Sequence, residues 1–340
     1  MTSIIKVPMV KPDIGEKERQ YVNKVMQEGE IGVKSPYVRE FEEKFADYVG
    51  YKYGVFCNSG WSAVLLAVRA SGWSQFVTPT FTMIATATAI KQAGATPFLY
   101  DCNQRGLMNA RSDLPIVSVD IYGQLAQVKS PFIIEDAAEV MGKIPYYGNI
   151  VCFSFFYNKI MTVGQGGMCV TNDEALYKEM KLLRHHYYDG SSYFHEKDGY
   201  NLSQSGIHAA IGLAQLERID EILERRKAIG EYFNEKIKGW SCPHGYWYYP
   251  YVCDNHEEKE DLKKFLADNG IESRDFFNPI HNQPPFKMNQ GFPVADDLYA
   301  RGLLLPMYST MTDIEKNYVV ETIEKFKNNK IIFNPLEYDT

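Results

Sequence analysis

Apolar positions along the chain alternate between two periods. At 15–28, Tyr21, Val22, Val25 and Met26 recur on one stripe of a 3.6-residue repeat, which predicts a helix. The same spacing predicts helices at 37–48 (Val38, Phe41, Phe45, Tyr48), at 62–70 and at 83–92, the last closed by Gly94. Between and after them lie short apolar runs at 53–57, 75–78, 97–100, 116–119, 132–134, 151–155 and 168–171. Runs of that length without polar alternation read as strands buried on both faces. The alternation predicts an α/β fold built on a mainly parallel sheet with helices on both sides.

After 205 the pattern changes. A long helical region at 205–238 carries Ile211, Leu213, Leu216, Ile219, Ile222 and Leu223 and leads toward a smaller domain. Beyond Pro243 a strand is predicted at 246–253, a helix at 257–268 and a last helix at 314–326. Gly, Pro and Asn punctuate 278–293, a long loop of the kind that often carries function. The expected division is a large domain at 1–230, N-terminal segment included, and a small C-terminal α+β domain at 231–340.

Composition narrows the function. The chain has 340 residues, 45% hydrophobic and 23% charged, a globular rather than a disordered mix. Its net charge of −7 and its lack of a basic stretch argue against binding nucleic acid through phosphates. No apolar run reaches the roughly 18 residues of a membrane span, and 1–11 has no signal-peptide apolar core. None of the six cysteines forms a CxxC pair, so reduced thiols and a cytoplasmic setting are expected. The seven histidines are scattered, and the adjacent His185 and His186 point apart on a helix, so no metal site is expected.

In a parallel sheet, ligands gather beyond the carboxyl ends of the strands, so the residues just after each run matter most. The phosphate loop GxxxxGK[ST] and the dinucleotide fingerprint GxGxxG are both absent. The run FIIED at 132–136 ends in two acids, Glu135 and Asp136, either solvated at a strand end or fixed at the ligand edge. FSFFYNK at 153–159 turns after a strand and presents Lys159. That lysine is either a snorkelling surface residue or an imine-forming amine made neutral by desolvation. Together these positions suit pyridoxal phosphate, which needs an amine, an acid beside its ring nitrogen and donors for its phosphate. Lys159 supplies the amine and Asp136 the acid. Gly60, Trp61 and Ser62 open a helix whose free N–H groups bind phosphate, and Ser154 adds a hydroxyl.

The order of five segments resembles the DegT-like sugar aminotransferases, fold-type-I pyridoxal phosphate enzymes that aminate nucleotide-linked keto sugars. The segments are IEDAAEVMG at 134–142, CFSFFYNKIMTVGQGGM at 152–168, GYN at 199–201, AAIGLAQLERID at 209–220 and RDFFNPIHNQPPF at 274–286. The resemblance implies that Lys159 is the imine-forming lysine, Asp136 the partner of the ring nitrogen and Ser154 a phosphate ligand. It implies that Asn201 reaches the phosphate of a neighbouring subunit, hence a homodimer with shared sites. Met83 stands where relatives stack an aromatic on the ring, and Trp61 where they carry Thr. Arg274 and His281 are implied to lie near the sugar nucleotide, and Phe81 near the substrate.

Within that family the chain looks like the perosamine and viosamine synthase branch, in which Glu139 lies near the cofactor's phenolic oxygen. That branch implies amination at C4 of a 4-keto-6-deoxyhexose, with glutamate as amino donor. Amination at C3 and a non-catalytic sugar-nucleotide-binding or regulatory role on the same fold stand as alternatives. Sugar dehydration is disfavoured because relatives of that kind carry histidine in place of Lys159. The nucleotide is left open.

Overall fold

A computed structural model of the chain describes residues 6–190 and 194–333. Two amphipathic helices, α1 (Glu16–Glu28) and α2 (Pro36–Tyr48), open it. The large α/β unit then runs β1 (Tyr53–Cys57), α3 (Gly60–Ser71), β2 (Gln75–Pro79), α4 (Ala85–Gln92), β3 (Thr96–Tyr100), β4 (Asn109–Arg111), β5 (Ile116–Val119), β6 (Gln127–Lys129), β7 (Ile133–Asp136), β8 (Ile150–Ser154), β9 (Gly167–Thr171), α5 (Glu174–Arg184) and α6 (Gly206–Leu216). Helix α7 (Ile219–Ile237) leads to β10 (Tyr249–Val252), α8 (His256–Asp268), β11 (Arg274–Asp275), α9 (Pro293–Arg301), β12 (Gly302–Leu305) and α10 (Asp313–Phe333).

Seven strands form the central sheet in the order β1-β9-β8-β7-β5-β2-β3. Only β9 runs antiparallel to its neighbours, β1 and β8; every other pairing is parallel. The apolar strand runs follow from this placement, since β5, β8 and β9 are buried along their whole lengths. On one face lies α3, whose residues from Ser62 to Val68 are all buried. On the other lie α2 and α6, where Phe45 meets Phe153 and Phe155 edge-on at 5.0 and 5.1 Å. Much of the chain's aromatic content is therefore core beneath the sheet rather than site.

The small domain is a three-stranded antiparallel sheet, β10-β12-β11, packed with α7, α8 and α10 around its own core. Val7 belongs to that core. It pairs with Ile271, donating its N–H to the Gly270 carbonyl and accepting from Glu272 N–H, so the N-terminal strap crosses onto the small domain. The division expected at 230/231 falls inside the continuous helix α7.

The single helical region expected at 205–238 is two helices, broken at Glu217 and Arg218. Both side chains are drawn to the N-terminal segment: Glu217 to Lys17 and Tyr21, Arg218 to Asp13 and Glu18. Helix α5 was not among the expected elements, although Asp173 caps it and Met180 and Leu183 bury its apolar stripe. Among the described residues all six cysteines are buried and none is in a disulfide, and no helix is long and apolar enough to cross a membrane. No cluster of three or more His, Cys, Asp or Glu side chains there is arranged to hold a metal ion.

Candidate active site

The carboxyl ends of β1, β2, β5, β7 and β8 share one edge, and the chemistry-bearing residues meet there. At the end of β1, Ser59 caps α3 by accepting from Ser62 N–H at 3.1 Å. The Ser62 hydroxyl donates to Asn58 Oδ1 at 2.6 Å, so Ser62 braces the turn from within. The N–H groups of Gly60 and Trp61 have no partner among the described residues. Ser154, at the end of β8, sits directly against Gly60: a Cβ at Gly60 would lie 2.7 Å from Ser154 Cβ and 3.0 Å from its Oγ. A Cβ at Gly167 would lie 2.7 Å from Gly60 N. Three segments thus close on one another through two glycines, leaving unpaired donors at a helix N-terminus beside a serine hydroxyl. That is the chemistry of a phosphate cradle. Gly60→Ala is expected to crowd it, raising the dissociation constant for pyridoxal phosphate at least about tenfold in a fluorescence titration of cofactor-stripped protein.

Asp136 ends β7 and is buried. Its Oδ2 accepts from the Thr86 hydroxyl at 2.8 Å and its Oδ1 from Ala138 N–H at 3.2 Å. Burial pushes this carboxyl above the usual aspartate range, against the Thr86 and Ala138 donors and the charge of Lys159. A buried carboxyl group held in place, with no ion pair among the described residues, suits a cationic ring nitrogen. Glu135, one residue earlier, faces the other side of the sheet and accepts from the N–H groups of Tyr147 and Gly148.

Lys159 stands in the turn after β8, with its Nζ 4.0 Å from the centre of the Trp247 ring. Burial pulls its amine below the usual lysine range, opposed by the carboxylates of Glu139 and Asp136. Glu139 is buried beside it and accepts from Tyr122 N–H at 2.9 Å. Tyr122 holds that N–H in place at φ 52°, a left-handed backbone unusual for so bulky a residue. Desolvation lifts Glu139 to about 7, against Lys159 and the Tyr122 N–H.

As pH rises above the ordinary glutamate range the unfolded chain ionises while folded Glu139 stays protonated, so the cofactor-free protein loses stability up to about pH 7. Glu139→Gln, which keeps an acceptor for Tyr122, is expected to gain on the wild type between pH 5 and pH 8, by at most about 3 kcal/mol in urea unfolding. Parallel stability profiles would remove Glu139 from this role.

The remaining expected residues divide. Trp61 turns its indole onto α4, donating to Thr88 Oγ1 at 3.1 Å, so only its backbone faces the cradle. Met83 is 48% exposed on the rim, three residues before Thr86, with Sδ accepting from Ala85 N–H. Asn201 is exposed and bridges to His185, and the next residue, Leu202, accepts from Asn58 N–H at the end of β1. Arg274 lies at the start of β11 with its guanidinium 5.8 Å from the Tyr248 ring centre, and Tyr248 OH in turn accepts from Asn158, next to Lys159. His281 is buried with both ring nitrogens engaged, Nδ1 with Thr80 Oγ1 at 2.8 Å and Nε2 with Asp296 at 3.1 Å. It clasps the 278–293 loop to the end of β2 and leaves no nitrogen for a substrate. Phe81 is fully buried between Tyr122 and Phe276 and offers no surface to a ligand. Thr86 and Trp247 were not expected from the sequence. Neither sits in a motif, and both reach the site only through the fold.

A mainly parallel sheet with one antiparallel strand, unpaired N–H groups at the start of α3 and a lysine in the turn after β8 suit a fold-type-I, pyridoxal phosphate-dependent aminotransferase. Residues 12–324 match the DegT/DnrJ/EryC1/StrS aminotransferase family, and the chain belongs to it. The chain is 34% identical to the GDP-perosamine synthase of Escherichia coli O157:H7, over 95% of this chain and 99% of that protein. It is 31% identical to the UDP-N-acetyl-3-dehydro-alpha-D-glucosamine 3-aminotransferase of Acidithiobacillus ferrooxidans, over 81% and 84% of the two. Among solved structures, Helicobacter pylori PseC, an aminotransferase involved in the biosynthesis of pseudoaminic acid, superposes with a TM-score of 0.86 at 20% identity, covering 96% of this chain and all of that one. The protein is a sugar aminotransferase that uses pyridoxal phosphate, and the cradle, the backed Asp136 and Lys159, which makes no ion pair among the described residues, fit that group.

Proposed function

We propose that the enzyme transfers the amino group of glutamate to C4 of a nucleotide-linked 4-keto-6-deoxyhexose, giving the 4-amino-4,6-dideoxy sugar and 2-oxoglutarate. The observation that carries this reading is the 34% identity to a GDP-perosamine synthase along nearly the full length of both chains. Bound at this site, pyridoxal phosphate supplies an electron sink for the electron pair released at the donor's α-carbon.

The chain's own residues do the rest. The N–H groups of Gly60 and Trp61 and the Ser154 hydroxyl bind the phosphate. Asp136, fixed by Thr86 and Ala138, holds a proton on the ring nitrogen. Lys159 Nζ takes the proton from the donor's α-carbon and, in the second half-reaction, delivers one to C4 of the sugar. Glu139 is buried beside the lysine and steadies its charge. Arg274, on the small domain and in no ion pair among the described residues, offers a cation to the substrate's anionic groups. The two half-reactions share one site, so ping-pong kinetics are expected.

The same reading makes the working unit a homodimer. Asn201 is exposed in the single chain, which suits a side chain that serves the partner's cofactor. Amination at C3 is kept as a second reading because of the 31% identity to a 3-aminotransferase. A transamination screen with glutamate and several nucleotide-linked 4-keto-6-deoxy and 3-keto sugars, read by mass and by NMR of the product, separates the two. Turnover of the 3-keto substrates alone would overturn C4, and no amine gain on any sugar would overturn both.

A further inference from the structure

Trp247 enters the site from the small domain, and two independent contacts hold it on Lys159. Its ring face lies under the lysine, 4.0 Å from centroid to Nζ, within the range of a cation–π contact. Its indole N–H donates to the Asn158 carbonyl at 2.7 Å, fixing the peptide that leads into Lys159. The segment carrying Trp247 is itself pinned. Arg226 on α7 is buried without a carboxylate partner among the described residues, and it donates to the carbonyls of Tyr246, Trp247 and Met307 at 2.9, 2.6 and 3.2 Å. Tyr122 and Phe277 stack on the indole at 20° and 19°, and Phe277 N–H donates to Tyr122 OH. A full cation is thus spent inside the protein on orienting backbone carbonyls around one tryptophan.

We propose that Trp247 is a positioning residue for Lys159: its π face receives the protonated amine when the lysine is free of the cofactor, and its N–H sets the direction of the lysine-bearing turn. The proposal deepens the reading of Lys159 as the reacting amine and rests on it. The charged and titratable groups facing Lys159 are Asp136 at the end of β7 and Glu139 behind it. From the small domain come Tyr248, held by Asn158, and Arg274 across the Tyr248 ring. The two carboxylates favour the ammonium from the large-domain side. The indole favours it from the small-domain side, where no carboxylate stands among the described residues. In a mechanism that frees the lysine amine in the first half-reaction and takes it back only at the end of the second, such a resting place keeps Nζ near the reacting carbon rather than in solvent.

The test reads Lys159 in the full-length chain stripped of cofactor, independently of which sugar is aminated. Lys159 is trace-labelled with acetic anhydride across pH, its peptide is quantified by mass spectrometry, and each variant's rate is normalised to its own high-pH plateau to remove differences in access. Exposed Lys52 serves as the internal reference. Trp247→Leu removes the π face while keeping the site apolar. It is expected to raise the normalised labelling of Lys159 about tenfold at a fixed pH below the midpoint, because less of the amine is held as ammonium. Trp247→Phe keeps a ring and is expected to stay within about twofold of the wild type in charge, while losing the hold on Asn158. An unchanged profile in the Leu variant would overturn the proposal. So would slower labelling, which would mean the indole acts by shutting out water. Near-UV circular dichroism of both variants establishes that the fold is kept. Should the profiles shift as expected while Lys159→Arg retains transamination, the contact would stand and the reading of Lys159 would fall.

Discussion

Lys159→Arg is expected to lower transamination by about four orders of magnitude or more, the scale of losing both a covalent anchor and a positioned proton carrier. Arginine is the demanding choice because it keeps what is structural about the lysine. It places a cation over Trp247 and beside Glu139 and Asp136, so neither carboxylate loses its neighbouring charge. It removes only the amine. A guanidinium stays protonated at any pH an enzyme meets, so it neither condenses with a carbonyl nor accepts the proton from an amino-acid α-carbon. Two measurements check this. The purified variant should lack the wild type's absorbance band at about 400–430 nm, and 2-oxoglutarate release from glutamate should fall to background. A variant that retains the band and turns over within tenfold of the wild type would show that another group is the reacting amine.

How far the sequence led to this site depends on how local each interaction is. The strand ends were legible because each is a short apolar run broken by a polar or glycine-rich turn, and a parallel sheet brings such turns to one edge. Asp136, Ser154 and Lys159 were reached that way, as were Gly60 and Trp61. Asp136's partner was not. Thr86 lies on α4, fifty positions away, with nothing in its own neighbourhood to mark it. Trp247 is 89 residues from Asn158, in a different domain, and its sequence neighbourhood reads only as strand.

Where expectation and structure part, a polar tertiary contact decides. Periodicity carried a single helix through Glu217 and Arg218, but their ion pairs with the N-terminal segment end one helix and begin another. His281 sat in a loop that looked open to ligand, yet its two nitrogens close that loop onto Thr80 and Asp296. Phe81 follows a strand end, but the bend beyond β2 turns it inward against Tyr122. Residue type and position at the sheet edge were readable; which way a side chain turns, and what already occupies it, depends on residues far along the chain.

The second large effect is expected at Asp136, where charge and shape are separable. Asparagine fills the same space and keeps an oxygen for the Thr86 hydroxyl or the Ala138 N–H, but it carries no negative charge to hold a proton on the ring nitrogen. Asp136→Asn is therefore expected to lower kcat by about 10²–10³-fold, the range seen when one preorganised electrostatic contact is removed from a reacting centre. Cofactor retention should change much less, because the phosphate cradle at Gly60, Trp61 and Ser154 is untouched. Thr86→Val tests the support rather than the charge. It deprives Oδ2 of its 2.8 Å donor and should cost roughly tenfold, while adding it to Asp136→Asn should cost little more, since both act through one carboxylate. Without cofactor the sign reverses. Burial pushes the wild-type carboxyl up, so its ionised form opposes folding above the ordinary aspartate range, and the neutral asparagine is relieved of that penalty. The cofactor-stripped variant should melt no lower than the wild type at pH 8, and the loaded variant should turn over far more slowly. Near-normal kcat in Asp136→Asn would show that the ring nitrogen does not need this charge. Loss of both stability and turnover would make Asp136 a structural acid, fixed at the sheet edge for folding alone.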